Sequence, residues 1–502
     1  MKPELTIYYT SDTHGYVFPT NFIDDKTRPV GLMGMIPQFI KDGNTLILDG
    51  GDTTQGSPLT YYCRKQGLPG PMSRVMNAAG YDYVTLGNHD FNYGYEALYE
   101  YLSMLNARCL CANVRDKAGR LPIAPYAVHT LENGLRVGIV GIVTPWIMRW
   151  EREETLAYFE ITDPLDAARK ALGLLRGRVD YTICLYHGGV EKDLNTGRLL
   201  SDTDENIACC LCEELDFDLL LTGHQHISME NRTYCGTHLA QPPANATHFL
   251  KAEASGKGSI TSRLMPSDAE NLPPLYEEMQ PLKAALDAWL DAPIGKLDKP
   301  LWPEGKLQMA LYGTPIANLF NQVQLDASRA DISCTSLGNE VRGFSDRVTV
   351  RDVVATYIYP NTLVVLQVDG RTLKAALENC ASYFAISPQG EVSISRDFLE
   401  PKVAHYNYDF FAGMDYTFDL SRPVGQRVTV MIFCGEPIRD DQKFTLCMNN
   451  YRATGVGGYE AYLSCPRVRE INTEMSELLL DYLAKQECVT VSANSPLTVL
   501  LP

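Results

Sequence analysis

The sequence predicts an α/β protein built from two domains. The chain has 502 residues, of which 45% are hydrophobic and 21% charged, so it contains enough apolar material for more than one core. In the first half, short apolar runs alternate with helical stretches, which is typical of an α/β fold. A polar, proline-rich segment near residue 270 separates that half from a second α/β pattern beginning near residue 305.

Six apolar runs in the first half have the character of buried strands. They are rich in Val, Ile, Leu and Tyr and too short to be buried helices. They cover residues 5–9, 45–49, 82–86, 136–143, 180–186 and 218–222. The intervals between them suit helices, for example over 94–107 and 164–177. We therefore expect a sheet whose two faces are both covered.

The second half begins after a linker. We predict a first domain over 1–270, a linker over 271–304 and a second domain over 305–502. Residues 281–290 begin with proline and predict a helix within the linker. Residues 348–380 predict helix, strand, turn and helix, with Asp369-Gly370 as the turn.

The charge balance restricts the ligand class. The sequence carries 44 Lys and Arg against 61 Asp and Glu, a net charge of −17. Binding to a nucleic-acid polymer requires clustered basic residues, so we expect no such partner. A small phosphate compound remains possible if metal ions stand between it and the protein.

Compartment and membrane signals are sparse. No run of 18 or more apolar residues is present, so we expect no membrane span. The N-terminus has no signal-like apolar segment, which predicts a cytoplasmic protein, or an extracytoplasmic one if a leader has been removed. Among the 14 Cys, we interpret Cys209, Cys210 and Cys212 as packing residues of an amphipathic helix. The sequence leaves the oligomeric state open.

Five of the apolar runs lead into residues that can bind metals. Because ligands gather at the carboxyl ends of strands in open α/β sheets, and adjacent glycines permit sharp turns, these segments could converge on one sheet edge. The segments are Asp12-Thr13-His14, Gly51-Asp52, Gly87-Asn88-His89-Asp90, His187-Gly188-Gly189 and Gly223-His224-Gln225-His226.

This set of side chains predicts a two-metal centre. Imidazoles with carboxylates suit Mn, Zn, Co, Fe or Ni rather than Mg or Ca alone. The set is too large for one tetrahedral ion, but it fits two ions about 3.5–4 Å apart. Such a pair generates hydroxide near neutral pH and neutralises charge on a phosphoryl group. Any one of these motifs alone would be weak, because single histidines after strands are usually structural. We interpret the remaining His129, His238, His248 and His405 in that way.

The motifs DTH, GD, GNHD, HGG and GHQH, in this order, resemble the signature of calcineurin-like metallophosphoesterases. The later segments TPIANLF, YPNTLVVLQVDG and NNYRATGVGGY resemble the C-terminal domain of the 5'-nucleotidase family. This resemblance implies a four-layer αββα sandwich that holds two divalent metal ions. A linker helix and an α/β domain that binds the nucleoside would follow.

The resemblance also implies individual roles. Asp12, His14 and His226 would bind one ion, Asn88, His187 and His224 the other, and Asp52 both, while Asn88 would also touch substrate. His89 would act on the phosphoryl group or the leaving oxygen, with Asn92 beside it. In the second domain Tyr359 and Tyr451 would sandwich the base, and Arg342 would bind substrate.

One departure from the 5'-nucleotidase pattern bears on the branch. That pattern often has an aspartate three residues after the motif histidine, where this chain has Asn92. The segments GDTTQGSPL, GNHDFNYG and TPWIMRW look most like the 2',3'-cyclic-nucleotide 2'-phosphodiesterase/3'-nucleotidase branch. We therefore expect a dinuclear phosphoesterase of that branch, acting on small nucleotides.

Three alternatives remain. The first is a 5'-nucleotidase, with or without UDP-sugar hydrolase activity. The second is a non-catalytic nucleotide-binding protein, which the complete ligand set disfavours. The third is a phosphoesterase for nucleic-acid strands, which the charge of −17 opposes.

Overall fold

The structure is a computed structural model that describes residues 3–24, 26–68, 70–197, 199–200, 204–359, 361–399, 403–471 and 473–502. The chain divides into two compact units, Met1–Leu286 and Asp287–Pro502, here called unit 1 and unit 2. Helix α9, Gln280–Leu290, spans the division.

Unit 1 consists of strands and helices in alternation. Its strands are β1 Leu5–Thr10, β2 Thr45–Asp49, β3 Tyr83–Val84, β4 Arg108–Leu110, β5 Val114–Asp116, β6 Ile123–Ala124, β7 Tyr126–Thr130, β8 Arg136–Val143, β9 Phe159–Ile161, β10 Tyr181–His187, β11 Leu219–Thr222, β12 Met229–Tyr234, β13 Thr237–Gln241, β14 His248–Ala254 and β15 Ile260–Pro266. Its helices are α1 Pro58–Gln66, α2 Pro71–Ala79, α3 Tyr95–Met104, α4 Ile147–Trp150, α5 Glu153–Leu156, α6 Pro164–Leu175, α7 Ala208–Glu214 and α8 Pro274–Glu278.

Two large sheets organise unit 1. The first has seven strands in the order β15-β14-β1-β2-β3-β4-β6, and the second has six in the order β12-β13-β11-β10-β8-β7. In the first sheet β1, β2, β3, β4 and β6 run parallel. In the second sheet β8, β10, β11 and β13 run parallel. The carboxyl ends of the central strands therefore share one edge within each sheet.

The main core of unit 1 lies between these sheets. Ile7 and Leu48 of the first sheet share one buried cluster with Ile139, Ile183 and Leu221 of the second. The strands predicted from the apolar runs are thus divided between two sheets, which the runs alone did not show but the family resemblance implied. A strand buried against another sheet has the same apolar pattern as one buried against helices, so the runs could not separate the two arrangements.

Helices cover the outside of this sandwich. On the second sheet, α6 and α7 pack Leu172 and Cys209 against outward-facing Cys184 and Val140. On the first sheet, outward-facing Tyr8 stacks on Phe39 with ring centroids 5.1 Å apart. Helices α2 and α3, which flank β3 in the chain, pack against each other. The four-layer α/β arrangement implied by the family resemblance is confirmed.

Unit 2 is a second, smaller α/β body. Its strands are β16 Pro293–Lys296, β17 Ile332–Ser336, β18 Arg347–Thr349, β19 Leu363–Asp369, β20 Phe384–Ile386, β21 Val392–Ile394, β22 Asp409–Ala412, β23 Asp415–Asp419, β24 Val428–Phe433, β25 Glu436–Pro437, β26 Lys443–Asn449, β27 Arg467–Ile471 and β28 Leu497–Leu500. Its helices are α10 Lys306–Tyr312, α11 Pro315–Ser328, α12 Val350–Thr356, α13 Gly370–Ala381, α14 Asn450–Ala453 and α15 Met475–Ala484.

The predicted order of elements in 348–380 is present, except for the turn. Helix α13 begins at Gly370, directly after β19. Asp369 caps this helix, because its carboxylate accepts the Thr372 backbone N–H at 2.9 Å. An aspartate followed by glycine suits a hairpin turn as well as a helix start, so the sequence pattern was ambiguous at this point.

A buried ion pair fixes the loops around α14. Asp409 and Arg452 are each about 1% exposed, and Arg452 Nε donates to the Asp409 carboxylate at 2.8 Å. The same guanidinium donates to the Tyr406 carbonyl at 2.7 Å and lies over the Tyr459 ring at 4.2 Å. Breaking a buried pair leaves a charge without compensation, so these contacts hold the loop beside Tyr451 in one position.

All 14 Cys lie in the described part of the chain and carry free thiols. Cys209 and Cys212 are buried in the core beneath the second sheet, which is the packing role expected of them. Among the described residues, no helix combines the length and apolar character that a membrane span requires.

Candidate functional site

The candidate site lies where strand ends from both sheets of unit 1 come together. Asp12 and His14 follow β1, Asp52 follows β2, and Asn88 follows β3 in the first sheet. His187 ends β10, while His224 and His226 follow β11 in the second sheet. The predicted convergence therefore joins the edges of two sheets rather than one.

Asp12, His14 and His226 form the first candidate metal group, with ligand atoms all within 4.8 Å of one another. His14 Nε2 lies 3.0 Å from His226 Nε2, and His226 Nε2 lies 3.4 Å from Asp12 Oδ1. Asp12 is fully buried, whereas the His226 side chain is 45% exposed. This group therefore opens towards solvent on the His226 side.

Asp52, His187 and His224 form the second candidate group under the same distance limit. His187 Nε2 lies 3.2 Å from Asp52 Oδ2. Asn88 belongs with this group, because its Oδ1 lies 3.2 Å from His187 Nε2 and 2.9 Å from His224 Nδ1. His187 and Asp52 are almost completely buried.

Both groups fit divalent cations. The Gln55 carbonyl, 2.9 Å from His14 Nδ1, can only accept a hydrogen bond, and so can the Gly50 carbonyl, 2.7 Å from His187 Nδ1. Each Nδ1 therefore carries a proton, so each Nε2 points into its group and can offer a lone pair to a cation once its own proton has left. The nitrogen and oxygen atoms that meet there at 3.0–3.4 Å are metal-ligand types, and a cation could take the place of the proton that they share.

The electrostatic field of the site is strongly negative. Burial disfavours a charged His187, yet the charge and hydrogen bond of Asp52 outweigh it and raise the pKa of His187 to about 10. Burial likewise acts to raise the pKa of Asp12, but the hydrogen bond from His226 and the charge of His187 hold that pKa below its usual range. The site thus stabilises positive charge where the ligand atoms meet.

Five ligand residues adopt a left-handed backbone that non-glycine residues rarely occupy. They are Asp12, His14, Asp52, His224 and His226, with φ between 48° and 72°. Backbone strain of this kind costs about 1–3 kcal/mol per residue and persists only where the surroundings enforce it. The strand-end loops are therefore shaped to aim these side chains.

Asp90 provides much of that enforcement. Its carboxylate, 2% exposed, accepts hydrogen bonds from the backbone N–H groups of Asp52, Thr53, Thr54 and Gly87 at 2.9–3.0 Å. It also accepts the Thr54 hydroxyl at 2.9 Å. The loops after β2 and β3 are thereby joined through one side chain.

Gly87 is required by the close approach of these two loops. A side-chain carbon at Gly87 would collide with the backbone nitrogen and carboxylate of Asp52. The His89 backbone N–H then donates to Asp52 Oδ1 at 2.7 Å. The glycine thus lets the β3 loop close over Asp52.

His89 and Asn92 lie beside the two groups. The ring of His89 is 5.4 Å from that of His14, between centroids. Burial lowers the pKa of His89 to about 4, despite the nearby charge of Asp52, so the ring is neutral at pH 7. The amide nitrogen of Asn92 lies 2.9 Å from His89 Nδ1. An amide N–H that donates to Nδ1 leaves the ring proton on Nε2.

Tyr359 and Tyr451, in unit 2, are 36% and 44% exposed. Burial, with smaller contributions from the neighbouring Tyr406 and Tyr451, raises the pKa of Tyr359 to about 12. The rings of Tyr359 and Tyr406 are 6.4 Å apart at 67°. Tyr359 and Tyr451 are therefore half-exposed neighbours, and the ring of Tyr406 lies at an angle to that of Tyr359.

Arg342 lies next to an acidic residue of helix α12. Its Nε is 4.0 Å from the Asp352 carboxylate, and its side chain is 42% exposed. Asp352 caps α12, whose last residue is three positions before Tyr359.

Sequence reasoning missed three residues of the site: Asp90, Trp150 and Glu205. Asp90 stands in the GNHD motif, but nothing in the motif shows that its carboxylate joins two loops. Trp150 stacks on His224 at 5.5 Å, and Glu205 Oε1 lies 3.0 Å from His224 Nε2. Trp150 ends the TPWIMRW segment quoted above, but only the fold shows that it and Glu205 reach His224.

The other histidines have the structural contacts expected of them. His129 Nδ1 lies 3.2 Å from the Tyr83 hydroxyl, His238 Nε2 lies 2.7 Å from Ser262 Oγ, and His405 Nδ1 lies 2.7 Å from the Tyr383 hydroxyl. His248 lies on strand β14.

Comparison with known proteins supports the same class of site. Residues 5–228 match the family described as calcineurin-like phosphoesterase, and residues 293–464 match the 5'-nucleotidase C-terminal domain. A Staphylococcus aureus crystal structure, provisionally named a 5'-nucleotidase and complexed with alpha-ketoglutarate, is 32% identical with a TM-score of 0.84. That match covers 99% of each chain.

Two curated relatives are more distant. A 2',3'-cyclic-nucleotide 2'-phosphodiesterase/3'-nucleotidase of Haemophilus influenzae is 26% identical over 90% of this chain and 80% of its own. A trifunctional nucleotide phosphoesterase protein of Bacillus subtilis is 25% identical over 98% of this chain. The chain spans only 38% of that longer relative.

Asp52→Asn tests the link between the two groups. Loss of the buried charge should cost at least one of two bound ions and reduce turnover by orders of magnitude, because a neutral amide cannot replace a carboxylate shared between cations. Elemental analysis per chain and phosphoesterase turnover measure both effects. Asp216→Asn, whose side chain is 96% exposed in unit 1, should change neither. Two ions with wild-type turnover in Asp52→Asn would contradict the shared role.

His89→Asn tests a role in chemistry apart from metal binding. Turnover should fall about 10²–10⁴-fold, the typical contribution of proton transfer by a side chain, while metal content stays at the wild-type value. The backbone N–H that holds Asp52 is kept in this variant. His129→Asn serves as the matched control and should retain turnover. Loss of metal in His89→Asn would instead identify His89 as a ligand.

Proposed function

The chain belongs to the 5'-nucleotidase family, with a calcineurin-like phosphoesterase domain, and from that premise we propose that it hydrolyses small nucleotides with two divalent ions. The observation that carries this proposal is the pair of adjoining ligand groups at the strand ends of unit 1. We assign Asp12, His14 and His226 to one ion and Asn88, His187 and His224 to the other. Asp52 would serve both, and the donors suit ions such as Mn, Zn, Co, Fe or Ni.

Divalent ions in such a pair lower the pKa of bound water and neutralise charge on the phosphoryl group. The protein must then orient the ester and provide a hydrogen-bond donor for the phosphoryl or leaving oxygen. His89 is neutral at pH 7, and with its proton on Nε2 it can donate a hydrogen bond to a phosphoryl or leaving oxygen. A ribose oxygen as the leaving group would accept that bond.

Asn92 supports a 2',3'-cyclic-nucleotide 2'-phosphodiesterase/3'-nucleotidase as the specific activity. An aspartate at this place would accept a hydrogen bond from the Nδ1–H group of His89 and favour a charged ring. The Asn92 amide reverses that hydrogen bond and supplies no charge. The name of the Haemophilus influenzae relative is consistent with this choice.

The second unit supplies a surface for the base. Tyr359 and Tyr451 are half-exposed neighbours, and Arg452, which follows Tyr451 in the chain, is anchored to Asp409. Stacking of a base on an aromatic ring contributes about 1–3 kcal/mol and accepts any base. We assign the base to these two rings, and the substrate-binding role of Arg342 stays a prediction of the family resemblance.

The second candidate is a 5'-nucleotidase, with or without UDP-sugar hydrolysis. The name given to the Staphylococcus aureus structure, which is similar over the whole chain, favours it. The two activities use the same metal centre and differ in which ester of the nucleotide reaches it. The arrangement of the candidate ligands is therefore compatible with both activities, and substrate preference distinguishes them.

Hydrolysis rates for four substrates distinguish the two candidate activities. With Mn²⁺, Co²⁺ or Zn²⁺ added, we expect kcat/KM for 2',3'-cyclic AMP or 3'-AMP to exceed that for 5'-AMP and UDP-glucose at least ten-fold. A ten-fold preference for 5'-AMP would contradict the proposed 2',3'-cyclic-nucleotide 2'-phosphodiesterase/3'-nucleotidase activity and identify a 5'-nucleotidase, which is still a phosphoesterase. Absence of hydrolysis of all four compounds with every metal would overturn the nucleotidase proposal itself.

Tyr451→Ala tests the base surface. KM for the preferred nucleotide should rise about 5–150-fold, which corresponds to the 1–3 kcal/mol of one stacking contact. Hydrolysis of p-nitrophenyl phosphate, which has no nucleobase, should stay unchanged. Tyr312→Ala is a matched control, because Tyr312 is 55% exposed at the end of α10 in the same unit. Equal losses on the nucleotide and the aryl phosphate would refute the stacking role.

A further inference from the structure

The imidazole of His224 has a different partner on each nitrogen. Nδ1 lies 2.9 Å from Asn88 Oδ1, on the side of the second ligand group, and Nε2 lies 3.0 Å from Glu205 Oε1. A carboxylate can only accept, so the Nε2 proton points to Glu205 and the Nδ1 lone pair faces the group. We propose that Glu205 is a positioning residue that fixes the ring and tautomer of His224 for metal binding. This inference rests on the two-metal centre of the proposed function.

Glu205 is itself firmly held. Its backbone carbonyl accepts the Thr144 hydroxyl at 2.9 Å and the Tyr186 hydroxyl at 3.3 Å. Thr144 follows β8 and Tyr186 lies within β10, so both donors belong to the second sheet. A carboxylate anchored in this way can set the orientation of a ring, whereas a mobile surface side chain could not.

The neighbours of Glu205 are anchored as well. Asn206 Oδ1 accepts the Gly189 backbone N–H at 2.7 Å, next to the end of β10. On the other side, Asp204 Oδ1 accepts the indole N–H of Trp146 at 2.7 Å. Residues 204–206 are therefore attached to the strand ends of the metal centre at several points.

Trp150 restrains the face of the same imidazole. Its ring lies 5.5 Å from that of His224 at an angle of 27°, a stacked arrangement. Trp146 contacts Trp150 with centroids 5.6 Å apart and is fixed by Asp204. One edge of the His224 ring meets Glu205 and one face meets Trp150, so rotation of the ring is blocked in two directions.

The carboxylate should also strengthen the ligand. His14 and His187 donate their Nδ1 protons to the neutral carbonyls of Gln55 and Gly50. His224 donates to a carboxylate, and a charged acceptor makes an imidazole a better electron donor to a cation. Glu205 therefore affects the ion held by His224 rather than the one held by His14 and His226.

Metal binding by Glu205 variants tests this role. Metal-free full-length protein is titrated with Zn²⁺ or Mn²⁺ alone in a calorimeter. Wild type should bind two ions. Glu205→Ala should bind one of them about 10–100-fold more weakly, the usual loss when such an orienting partner is removed. Glu205→Gln, whose amide oxygen can still accept from Nε2, should lie between them.

Controls separate positioning from folding. Glu214→Gln removes a 54% exposed carboxylate that pairs with Arg169 in the same unit, and its binding should equal wild type. Excess metal should restore the turnover of Glu205→Ala, which a misfolded variant would not show. If Glu205→Ala fails to fold, Glu205→Gln decides the question.

The metal titrations distinguish failure of the positioning role from failure of the two-metal centre. Wild-type affinity for both ions in Glu205→Gln and Glu205→Ala overturns the positioning role and leaves the proposed function intact. A wild-type protein that binds fewer than two ions refutes the two-metal centre, and the role assigned to Glu205 falls with it. Selective weakening of one ion supports both.

Discussion

The carboxylate of Asp90 is the constraint on which the geometry of the site depends. It is buried, and four backbone N–H groups together with the Thr54 hydroxyl satisfy its oxygens. Because a buried carboxylate without donors is costly, the loops after β2 and β3 are held where they can supply these bonds. Asp52, whose backbone N–H donates to Asp90 and whose carboxylate accepts the His89 N–H, is thereby fixed in the second candidate group. The left-handed backbone of Asp52 persists because this network enforces it.

The second sheet supplies the other candidate ligands, and these are held by strand register and by residues outside the strands. His187 is the last residue of β10, so its position is set by the register of that strand with β8 and β11. The Gly50 carbonyl of the first sheet accepts its Nδ1 proton, which ties the two sheet edges together. His224 is oriented by residues that approach from outside the strands, namely Glu205 and Trp150. The centre thus combines rigid strand ends with one ring that depends on a loop.

The sequence predicted which candidate ligands come together far better than it predicted the residues that hold them in place. The ligand segments could be found because each stands directly after an apolar run and next to glycine, as with Asp52 after β2 and His224 after β11. The apolar runs alone did not show the division of the strands into two sheets, which only the family resemblance implied, since Ile7 and Ile183 are equally apolar whether helices or strands cover them. Glu205 was missed because it lies 18 residues after His187 in a polar stretch, and only tertiary structure brings it to His224. Local sequence patterns indicate which side chains follow a strand. They do not indicate hydrogen bonds between residues that are far apart in the chain.

The buried charges explain how so acidic a chain can hold a phosphate ester. Asp12 and Asp52 are almost fully buried, and the ion-pair partners found for them are His226 and His187 rather than lysine or arginine. In the absence of a cation, the field of these carboxylates is strong enough to raise the pKa of His187 to about 10, although burial opposes a charged ring. A field that holds a proton against burial would attract a dication more strongly, and the dication would replace that proton. With about four positive charges from two ions, the site would attract a dianionic phosphate, while the chain's net charge of −17 would still repel a polyanion.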